Sequence, residues 1–272
     1  MQGWQRPEVR TNAQSPPSPA RLRVVSFNVE RAEHGERLAQ AILENDELRG
    51  ADVLLLQEVE SHPDEPMSRA RALAGRLAPP RYNHAYAPTR QLDGGGTHGL
   101  AVLSRFPLRR VEVMQLPYFE LHVSSTRRIA LGVTLDVDGR PLRVIDVHLD
   151  TRININQRLQ QIEPVVALTD GEVVIGGDLN TNPYAWVQHT VPLLPANSIA
   201  RLDQAEALDR YMRSNGFTTP TSSLGPTTNM KVLEMRLDSI YCRRVAATGA
   251  GVERSVDVSD HRPLWIDLSL DQ

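Results

Sequence analysis

Apolar residues fall along the chain in short continuous runs and in runs of helical spacing, and the two kinds alternate. The segments LRVVSFNVE (residues 22–30) and ADVLLLQEVE (residues 51–60) are rich in β-branched residues and Leu, as buried strands are. Between them, residues 36–50 place apolar side chains at roughly helical spacing and end in Gly50. Together these segments predict a strand–helix–strand unit.

The rest of the chain continues the alternation. The tract LDGGGTHG (residues 92–99) interrupts it and predicts a flexible loop, and DVDGR (residues 136–140) predicts a hairpin turn. Further helices are predicted at residues 67–77, 156–169 and 204–214. Pro164 is expected to kink or end the second of these. Further strands are predicted at residues 82–87, 99–106, 109–116, 128–137, 141–150, 172–180, 235–244, 252–259 and 262–270.

The organisation of the chain indicates one folded unit after a short leader. Residues 1–20 contain QSPPSP and show no periodicity, so we predict a disordered leader there. Over residues 21–272 helices and strands are mixed, and no Gly/Ser linker or internal repeat divides them. This pattern predicts a single α/β domain in which two mixed β-sheets pack face to face with helices outside.

Composition narrows the classes of partner and compartment. The chain has 30 Lys+Arg and 33 Asp+Glu, a formal net charge of −3, which does not suggest a strong electrostatic binder of nucleic acid. The one cysteine, Cys242, excludes an intrachain disulfide, and no Cys/His zinc pattern is present. No apolar run approaches the ~20 residues of a membrane span and no signal peptide is evident, so a soluble, cytoplasmic protein is expected.

Several predicted strands end in a polar residue that strand formation does not require. A single such residue is usually a turn or a cap. Repetition with oxygen ligands and imidazoles favours a functional site, because the strand ends of one sheet edge converge in α/β proteins. The residues in question are Asn28, Glu58, His148, Asp178, Asn180, Asp238, Asp260 and His261.

The chemistry of these side chains suits phosphate and a hard cation. Asn28, Glu58 and Asp260 offer oxygen donors, which Mg²⁺ and Mn²⁺ prefer. His148 and His261 lie far apart in sequence and form no i, i+4 pair, so they are not typical of a zinc motif. They fit phosphate-facing donors or acid/base groups better.

Seven motifs carry a resemblance to a known family. SFNVE, LLLQEVE, GLAVLSRFP, VHL, GDLNTNP, RLDSIY and SDHRPLW occur in this order over residues 22–268. In this order they resemble the endonuclease/exonuclease/phosphatase superfamily, the fold of pancreatic deoxyribonuclease and of abasic-site enzymes of the exonuclease III type. GDLN and SDH together are quite specific, whereas LQE alone is weak. The resemblance implies a four-layered α/β sandwich, which agrees with the pattern of elements.

The resemblance also implies roles around the metal and the attacking water. Asn28 and Glu58 would hold a Mg²⁺ or Mn²⁺ ion, with Asp260 supporting that site. Asp178 would orient or deprotonate the water. Asn180 would help to bind the phosphate and would position Asp178.

For the histidines, the resemblance implies contacts to the phosphate. His261 would donate to a non-bridging phosphate oxygen, while Asp238 would fix its ring and favour its charged form. His148 would make a second phosphate contact or assist the leaving group. This arrangement suits phosphoryl transfer, in which charge builds on the phosphate oxygens.

Three further residues are expected to contact substrate, although plain loop or surface roles are about as common for such positions. They are His98 after the glycine tract, Arg128 beside Arg127 at a strand start, and Arg152 shortly after His148. Asn182 is expected to be a turn residue and Arg158 a helix-surface residue. Trp186 has two alternatives, stacking on a base or packing under its loop.

These inferences favour a divalent-metal-dependent phosphoesterase that hydrolyses a phosphodiester or phosphomonoester bond by metal-assisted attack of water. Its partner would be a phosphorylated small molecule, a lipid head group or a nucleic acid, and the protein is expected to be a monomer. Two alternatives remain, a DNA or RNA endo- or exonuclease and a catalytically silent binding protein on the same fold. The neutral-to-acidic charge balance slightly favours a small substrate.

Overall fold

In the computed structural model, the described residues are 6–12, 16, 20–77, 82–120, 127–168, 170–183, 185–187, 191–193, 204–229 and 234–270. Within them the strands are β1 (Glu8–Arg10), β2 (Arg21–Arg31), β3 (Val53–Ser61), β4 (Asn83–Gln91), β5 (Thr97–Ser104), β6 (Leu108–Gln115), β7 (Ile129–Val137), β8 (Arg140–His148), β9 (Val173–Asp178), β10 (Ala185–Val187), β11 (Val191–Leu193), β12 (Asp238–Arg243), β13 (Ala246–Val252) and β14 (Leu264–Ser269). The helices are α1 (Gly35–Glu44), α2 (Arg69–Arg76), α3 (Ile155–Ala167) and α4 (Gln204–Ser214).

Two large sheets pack face to face between two layers of helices. The first sheet has the strand order β1-β4-β5-β3-β2-β14-β13 and the second has the order β12-β9-β8-β7-β6, while β10 and β11 form a separate ribbon. A fully buried apolar layer that includes Leu55, Leu131 and Val144 fills the space between the sheets. Helices α1 and α2 cover the outer face of the first sheet, and α3 and α4 cover that of the second. The predicted four-layered α/β sandwich is confirmed.

Burial on both faces explains the continuous apolar runs of the central strands. In β2, Leu22 and Val24 face the other sheet, whereas Val25 and Phe27 lie under the helices. Successive side chains of a strand point to opposite faces, so a strand covered on both sides needs apolar residues at every position.

The parallel strand pairs bring four of the polar strand ends to one edge. β2 pairs with β3 and β8 pairs with β9 in parallel, and the other pairs within the two large sheets are antiparallel. Asn28 and Glu58 lie at or near the carboxyl ends of β2 and β3, and His148 and Asp178 close β8 and β9. Because β2 contacts β9 and β3 contacts β8 across the sandwich, these ends meet.

The predicted hairpin turn joins β7 to β8 through Asp138 and Gly139. Both residues have positive φ, 53° and 83°, which two-residue hairpin turns of the mirror-image type require. Asp136 reinforces the turn, since its Oδ1 accepts a hydrogen bond of 2.7 Å from the backbone N–H of Gly139.

The helices follow their local signals. Asn154 and Gln157 form a capping box at the start of α3, each side chain accepting a hydrogen bond from the other residue's backbone N–H. Pro164 lies inside α3 and does not end it, since the helix continues to Ala167. None of the four described helices combines the length and the hydropathy that a membrane span requires.

Part of the predicted leader is folded. Residues Glu8–Arg10 form β1, which pairs antiparallel with β4, so the prediction of disorder for residues 1–20 is wrong there. An edge strand such as β4 offers unpaired backbone groups that a short extended segment can satisfy. Oε1 of Glu8 also lies 3.0 Å from Nε2 of His84. Residues 1–5, 13–15 and 17–19 of the leader lie outside the described residues.

Several strand boundaries differ from the predictions, and two of them change how the sequence is interpreted. The strand expected at 252–259 is wrong, because the chain pairs with β14 upstream, as β13 over Ala246–Val252. The small residues of β13 do not form the apolar pattern typical of a strand. Glycine is required at position 251 by packing, because a Cβ there would lie 2.5 Å from the Trp265 ring. The glycine tract is also shorter than expected, since β5 already begins at Thr97 and includes His98.

A buried polar pair, Asp146 and Gln57, joins the two sheets just beneath the polar edge. Nε2 of Gln57 donates to Oδ1 of Asp146 over 2.6 Å, and both residues are 0% exposed. Among the described residues, Oδ2 of Asp146 and Oε1 of Gln57 have no hydrogen-bond partner. Burial raises the pKa of Asp146 well above its ordinary value, and the bond from Gln57 opposes this only in part.

We predict that Asp146→Asn flattens the pH dependence of stability. Because the folded-state pKa of Asp146 is raised, its contribution to stability is fully present below the unfolded pKa of about 3.8 and is lost as pH rises through the folded pKa. The loss is about 1.4 kcal/mol for each unit by which the pKa is raised. Urea denaturation of the wild type and the variant at a series of pH values, from below about 3.8 upwards, measures the free energy of unfolding of each. Equal pH slopes for the two proteins would contradict the prediction, and the exposed Asp46→Asn serves as the control.

Candidate active site

The strand register places three predicted site residues side by side in the second sheet. In β9, Asp178 lies opposite His148 of β8 on one side and opposite Asp238 of β12 on the other. Across the sandwich, Nδ2 of Asn28 in β2 donates to Oδ2 of Asp178 over 3.1 Å. The two sheets therefore share one polar cluster at this edge.

Glu58 reaches the cluster through a bulge in β3. Its φ is 61°, a left-handed value that a non-glycine residue rarely adopts, and the pairing of β3 with both β2 and β5 shifts register around it. Nδ2 of Asn28 also donates to Oε1 of Glu58 over 3.2 Å. The bulge thus turns the carboxylate out of the regular strand and towards Asn28.

Two imidazoles lie beside the Glu58 carboxylate. Nε2 of His98 is 3.7 Å from Oε2, and Nε2 of His148 is 4.0 Å from Oε1. Burial favours the neutral acid, but His98, His148 and Asn28 outweigh it and lower the pKa of Glu58. Glu58 is therefore an anion at neutral pH, which a metal ligand or an electrostatic role requires.

Asp178 lies between the two candidate catalytic histidines. Its Oδ2 is 3.4 Å from Nε2 of His148 and 3.7 Å from Nε2 of His261. Burial raises the pKa of Asp178, and the neighbouring His261 opposes that rise. A raised pKa in a carboxylate favours the uptake of a proton, as a general base requires.

The two histidines differ in charge. Burial opposes a charge on the His261 ring, but Asp238 and Asp178 outweigh it and raise the pKa of His261 to about 10. Burial and Arg128 instead lower the pKa of His148 well below its ordinary value, against the effect of Glu58. These shifts favour a charged His261 and a neutral His148 at neutral pH.

Asp238 and Thr227 fix the ring of His261. Oδ2 of Asp238 lies 2.8 Å from Nδ1 of His261 and accepts a second hydrogen bond of 2.6 Å from the Thr227 hydroxyl. The backbone N–H of His261 donates to Oγ of Ser259 over 3.1 Å. With Nδ1 engaged, Nε2 is the ring atom that faces Asp178.

The turn after β9 holds Asn180 by its backbone. Asn180 has φ of 51° and lies beyond the end of the strand, not on it as predicted. Its backbone N–H donates to Oδ1 of Asp178 over 2.9 Å, and its Nδ2 donates to the carbonyl of Leu149 over 2.9 Å. Leu179, between Asp178 and Asn180, is fully buried.

Gly177 permits a close approach of β8 and β9 directly before Asp178. Its φ is 151°, and a Cβ there would lie 1.9 Å from the carbonyl oxygen of Val147. No side chain larger than hydrogen fits at this position without moving a backbone. The separation of His148 from Asp178 thus depends on this glycine.

Arg128 places a half-buried cation near the site. Its Nε is buried and has no hydrogen-bond partner among the described residues. Burial lowers the pKa of Arg128, while Asp150, Asp178 and Glu58 oppose that effect through their charges. A half-buried guanidinium near the cluster suits an anionic ligand such as phosphate.

The structure does not bring every predicted residue into the cluster. Asp260 is exposed, and its backbone N–H donates to Oε2 of Glu30 over 3.3 Å. Arg152 is exposed on the loop after β8, and Arg127 is exposed with its guanidinium 5.7 Å from the Tyr118 ring. Nδ2 of Asn182 donates to the carbonyl of Thr151 over 2.8 Å. The side chain of Trp186 lies outside the described residues.

Three residues behind the cluster, Arg158, Asp150 and Gln161, were not recognisable from the sequence as neighbours of the site. Arg158 is fully buried and not on the surface of α3 as predicted. Asp150 and Gln161 are also buried, and the side chains of Arg158 and Gln161 both bind the backbone of Asp150. The available signal was the spacing of Arg158 and Gln161, three apart on a helix face that is otherwise apolar.

Two adjacent groups of side chains have the donors for a metal ion. Asp178, Asp238 and His261 have ligand atoms within 4.8 Å of one another and could hold a metal. His261 is charged there, however, and a protonated imidazole has no lone pair to offer. The Glu58 carboxylate and the amide oxygen of Asn28, with Asp178 beside them, are oxygen donors that fit Mg²⁺ or Mn²⁺ better, and that amide oxygen also accepts a hydrogen bond of 3.1 Å from the backbone N–H of Glu30.

Comparisons with known proteins agree with the geometry. The model of the Endonuclease/Exonuclease/phosphatase family matches residues 25–261. A comparison with curated proteins gives no match. Among solved structures, an endonuclease/exonuclease/phosphatase from Beutenbergia cavernae has a TM-score of 0.73 at 23% identity, over 93% of this chain and 72% of that one.

Two further structures have names that mention a ligand. The human Nocturnin catalytic domain with bound sulfate has a TM-score of 0.62 at 20% identity, over 96% of this chain and 97% of that one. Zebrafish (D. rerio) TDP2 complexed with single-strand DNA product has a TM-score of 0.61 at 17% identity, over 92% of this chain and 99% of that one. At these identities the structures establish the fold alone. The family model covers most of the chain, and the chain therefore belongs to the endonuclease/exonuclease/phosphatase family.

Proposed function

We propose that the protein hydrolyses a phosphoester bond by attack of water on phosphorus. The observation that carries the proposal is the Asp178 carboxylate between a charged and a neutral imidazole, at 3.7 and 3.4 Å. Members of this family generally act on phosphoester bonds and typically depend on a divalent metal. A base flanked by a cationic donor matches the needs of that reaction, in which a proton leaves the water while charge builds on phosphate.

Each side chain of the polar cluster has its own role in the proposed hydrolysis. Asp178 orients the water and accepts its proton, and the backbone N–H of Asn180 holds the second oxygen of that carboxylate. The charged His261 donates through Nε2 to a non-bridging phosphate oxygen. The neutral His148 donates to a second phosphate oxygen or to the leaving group. Each role uses the charge state that the burial and the neighbours of that residue favour.

Around this centre, other residues hold the metal and the substrate. Asn28 and Glu58 would hold Mg²⁺ or Mn²⁺, and Asp260 would support that site from its exposed position at the rim. When bound, the ion would supply positive charge to the phosphate oxygens. Arg128 binds the phosphate with its half-buried guanidinium, and the buried His98 orients Glu58. Arg152 reaches the substrate from the exposed loop.

We predict that Asp178→Ala and His261→Ala each lower kcat on a chromogenic phosphodiester by about 10²-fold or more, because each removes a group that acts on the reacting atoms. Asp178→Asn keeps the shape and should lose as much. Asp46→Asn, at an exposed position, is the control and should keep the wild-type rate. Full activity in either alanine variant would refute these roles. No turnover by the wild type with either metal would instead favour a silent binding protein.

We also predict that Glu58→Gln weakens Mn²⁺ binding about 10-fold or more, measured by calorimetry without substrate. The pKa of Glu58 is lowered, so the wild-type carboxylate is fully ionised at neutral pH and binds the cation with its charge. Asp260→Asn should have a smaller effect, since that residue is exposed, and the exposed Glu33→Gln should have none. Unchanged affinity in Glu58→Gln would place the metal elsewhere.

A nuclease is the second candidate, because the fold is shared with TDP2 solved with a DNA product. The net charge of −3 argues for a small substrate. We predict that kcat/KM for the preferred substrate changes less than about threefold between 50 and 200 mM salt, whereas a backbone-binding nuclease would lose about 10³-fold or more in affinity. A panel of nucleic acids, nucleotides, sugar phosphates and phospholipids identifies that substrate. A steep salt dependence with DNA or RNA as the best substrate would establish the nuclease.

A further inference from the structure

Arg158 is buried in α3 and binds the loops that carry the candidate catalytic side chains. It is 0% exposed. Its Nη1 donates to the carbonyl oxygens of Asp150 and Leu179 over 2.7 and 2.8 Å, and its Nη2 donates to that of Ile153 over 3.1 Å. Its Nε donates to Oε1 of Gln204 in α4 over 3.1 Å. One guanidinium therefore joins the loop after β8, the turn after β9 and the start of α4.

The two carbonyls bound by Nη1 lie next to the site in sequence. Asp150 is two residues after His148, and Leu179 stands between Asp178 and Asn180. The same two segments are also joined directly, since the N–H of Leu149 donates to the carbonyl of Asp178 over 2.9 Å. A shift of either segment would move the histidine relative to the carboxylate.

Gln161 completes the attachment from the same face of α3. Its Oε1 accepts a hydrogen bond of 2.8 Å from the backbone N–H of Asp150, and its Nε2 donates to the carbonyl of Pro117 over 3.1 Å. Residues three apart lie on one face of a helix, so Arg158 and Gln161 act together. Between them they engage both backbone polar groups of Asp150.

The four acceptors of Arg158 are all neutral, and no carboxylate pairs with it among the described residues. A buried charge without an ion pair lowers stability, so a purely stabilising role does not explain this residue. Burial lowers the pKa of Arg158, and the Asp178 and Asp150 carboxylates oppose that effect through their charges. The cation thus stands behind the reacting carboxylate without contacting it.

We propose that Arg158 is a positioning residue that fixes the loop after β8 and the turn after β9, so that His148, Asp178 and Asn180 keep their mutual geometry. The inference rests on the proposed phosphoesterase function and adds a residue that does not touch the substrate. A guanidinium presents five donors in a planar fork, whereas a lysine presents a point charge. The shape of the group, and not its charge alone, is what the three carbonyls require.

The test compares Arg158→Lys with Arg23→Lys, well below the melting temperature of each variant. Arg23 is also buried, but it forms an ion pair with Asp267. Arg23 lies near the start of β2, whereas Asn28 lies near the other end of that strand. We expect Arg158→Lys to lower kcat about 10- to 100-fold with KM within about twofold, because small misplacements of reacting groups are costly. Arg23→Lys should keep kcat within about twofold despite a similar loss of Tm. Equal kcat in the two variants would overturn the proposal.

A second measurement needs no activity. Amide hydrogen exchange should accelerate in Arg158→Lys at Leu149, Asp150, Leu179 and Asn180 beyond any global change, whereas Arg23→Lys should not alter these amides. Unchanged exchange at all four amides in Arg158→Lys would overturn the proposal, whatever the activity of that variant. Faster exchange with a wild type that turns over no phosphoester would refute the proposed function and support the attachment. Partial recovery of kcat in Arg158→Ala by sub-denaturing guanidinium chloride, but not by NaCl, would support the positioning role.

Discussion

The apolar contact between the two sheets is the constraint on which the rest of the structure depends. It sets the inner faces of β2 and β3 against those of β8 and β9, and the carboxyl ends of both parallel pairs then meet at one edge. Asn28 and Asp178 come from different sheets, yet the Nδ2 of Asn28 lies 3.1 Å from the Oδ2 of Asp178. No single strand or helix carries the polar cluster. Its residues come together because the apolar layer holds the two sheets in contact.

Burial at that edge gives each titratable group a distinct charge. Asp178, His148 and His261 are all enclosed, but the neighbours differ: Asp238 supports a charge on His261, whereas Arg128 disfavours one on His148. In a low dielectric these neighbour effects are strong, so two chemically identical rings take opposite forms. The division of labour between them follows from position and not from residue type.

The sequence was informative wherever a signal is local or periodic. Runs that need apolar residues on both faces identified β2 and β3, and Asp138–Gly139 identified its hairpin. The polar strand ends were recognisable because they interrupt an apolar period, which is how Glu58 and Asp178 were found. Pairing partners distant in sequence carry no such signal, so β1 and the true place of β13 were missed.

Buried polar side chains that serve the backbone of other segments were equally hidden. Arg158 binds carbonyls, and any residue supplies a carbonyl, so no sequence pattern marks its partners. The left-handed conformations of Glu58 and Asn180 also arise from the surrounding strands, since neither residue type demands them. Asp260 stays a prediction, since the motif suggests that it supports the metal site while its side chain is exposed.

Gly177 has a consequence for how this protein can diversify. With room only for a hydrogen atom beside Val147, the spacing of the two strands is a property of the backbone and is not adjustable by choosing a different side chain. A related protein with a new specificity would therefore have to differ in the surrounding loops and keep the backbone spacing of β8 and β9. The chemistry and the choice of molecule on which it acts would evolve as separate traits.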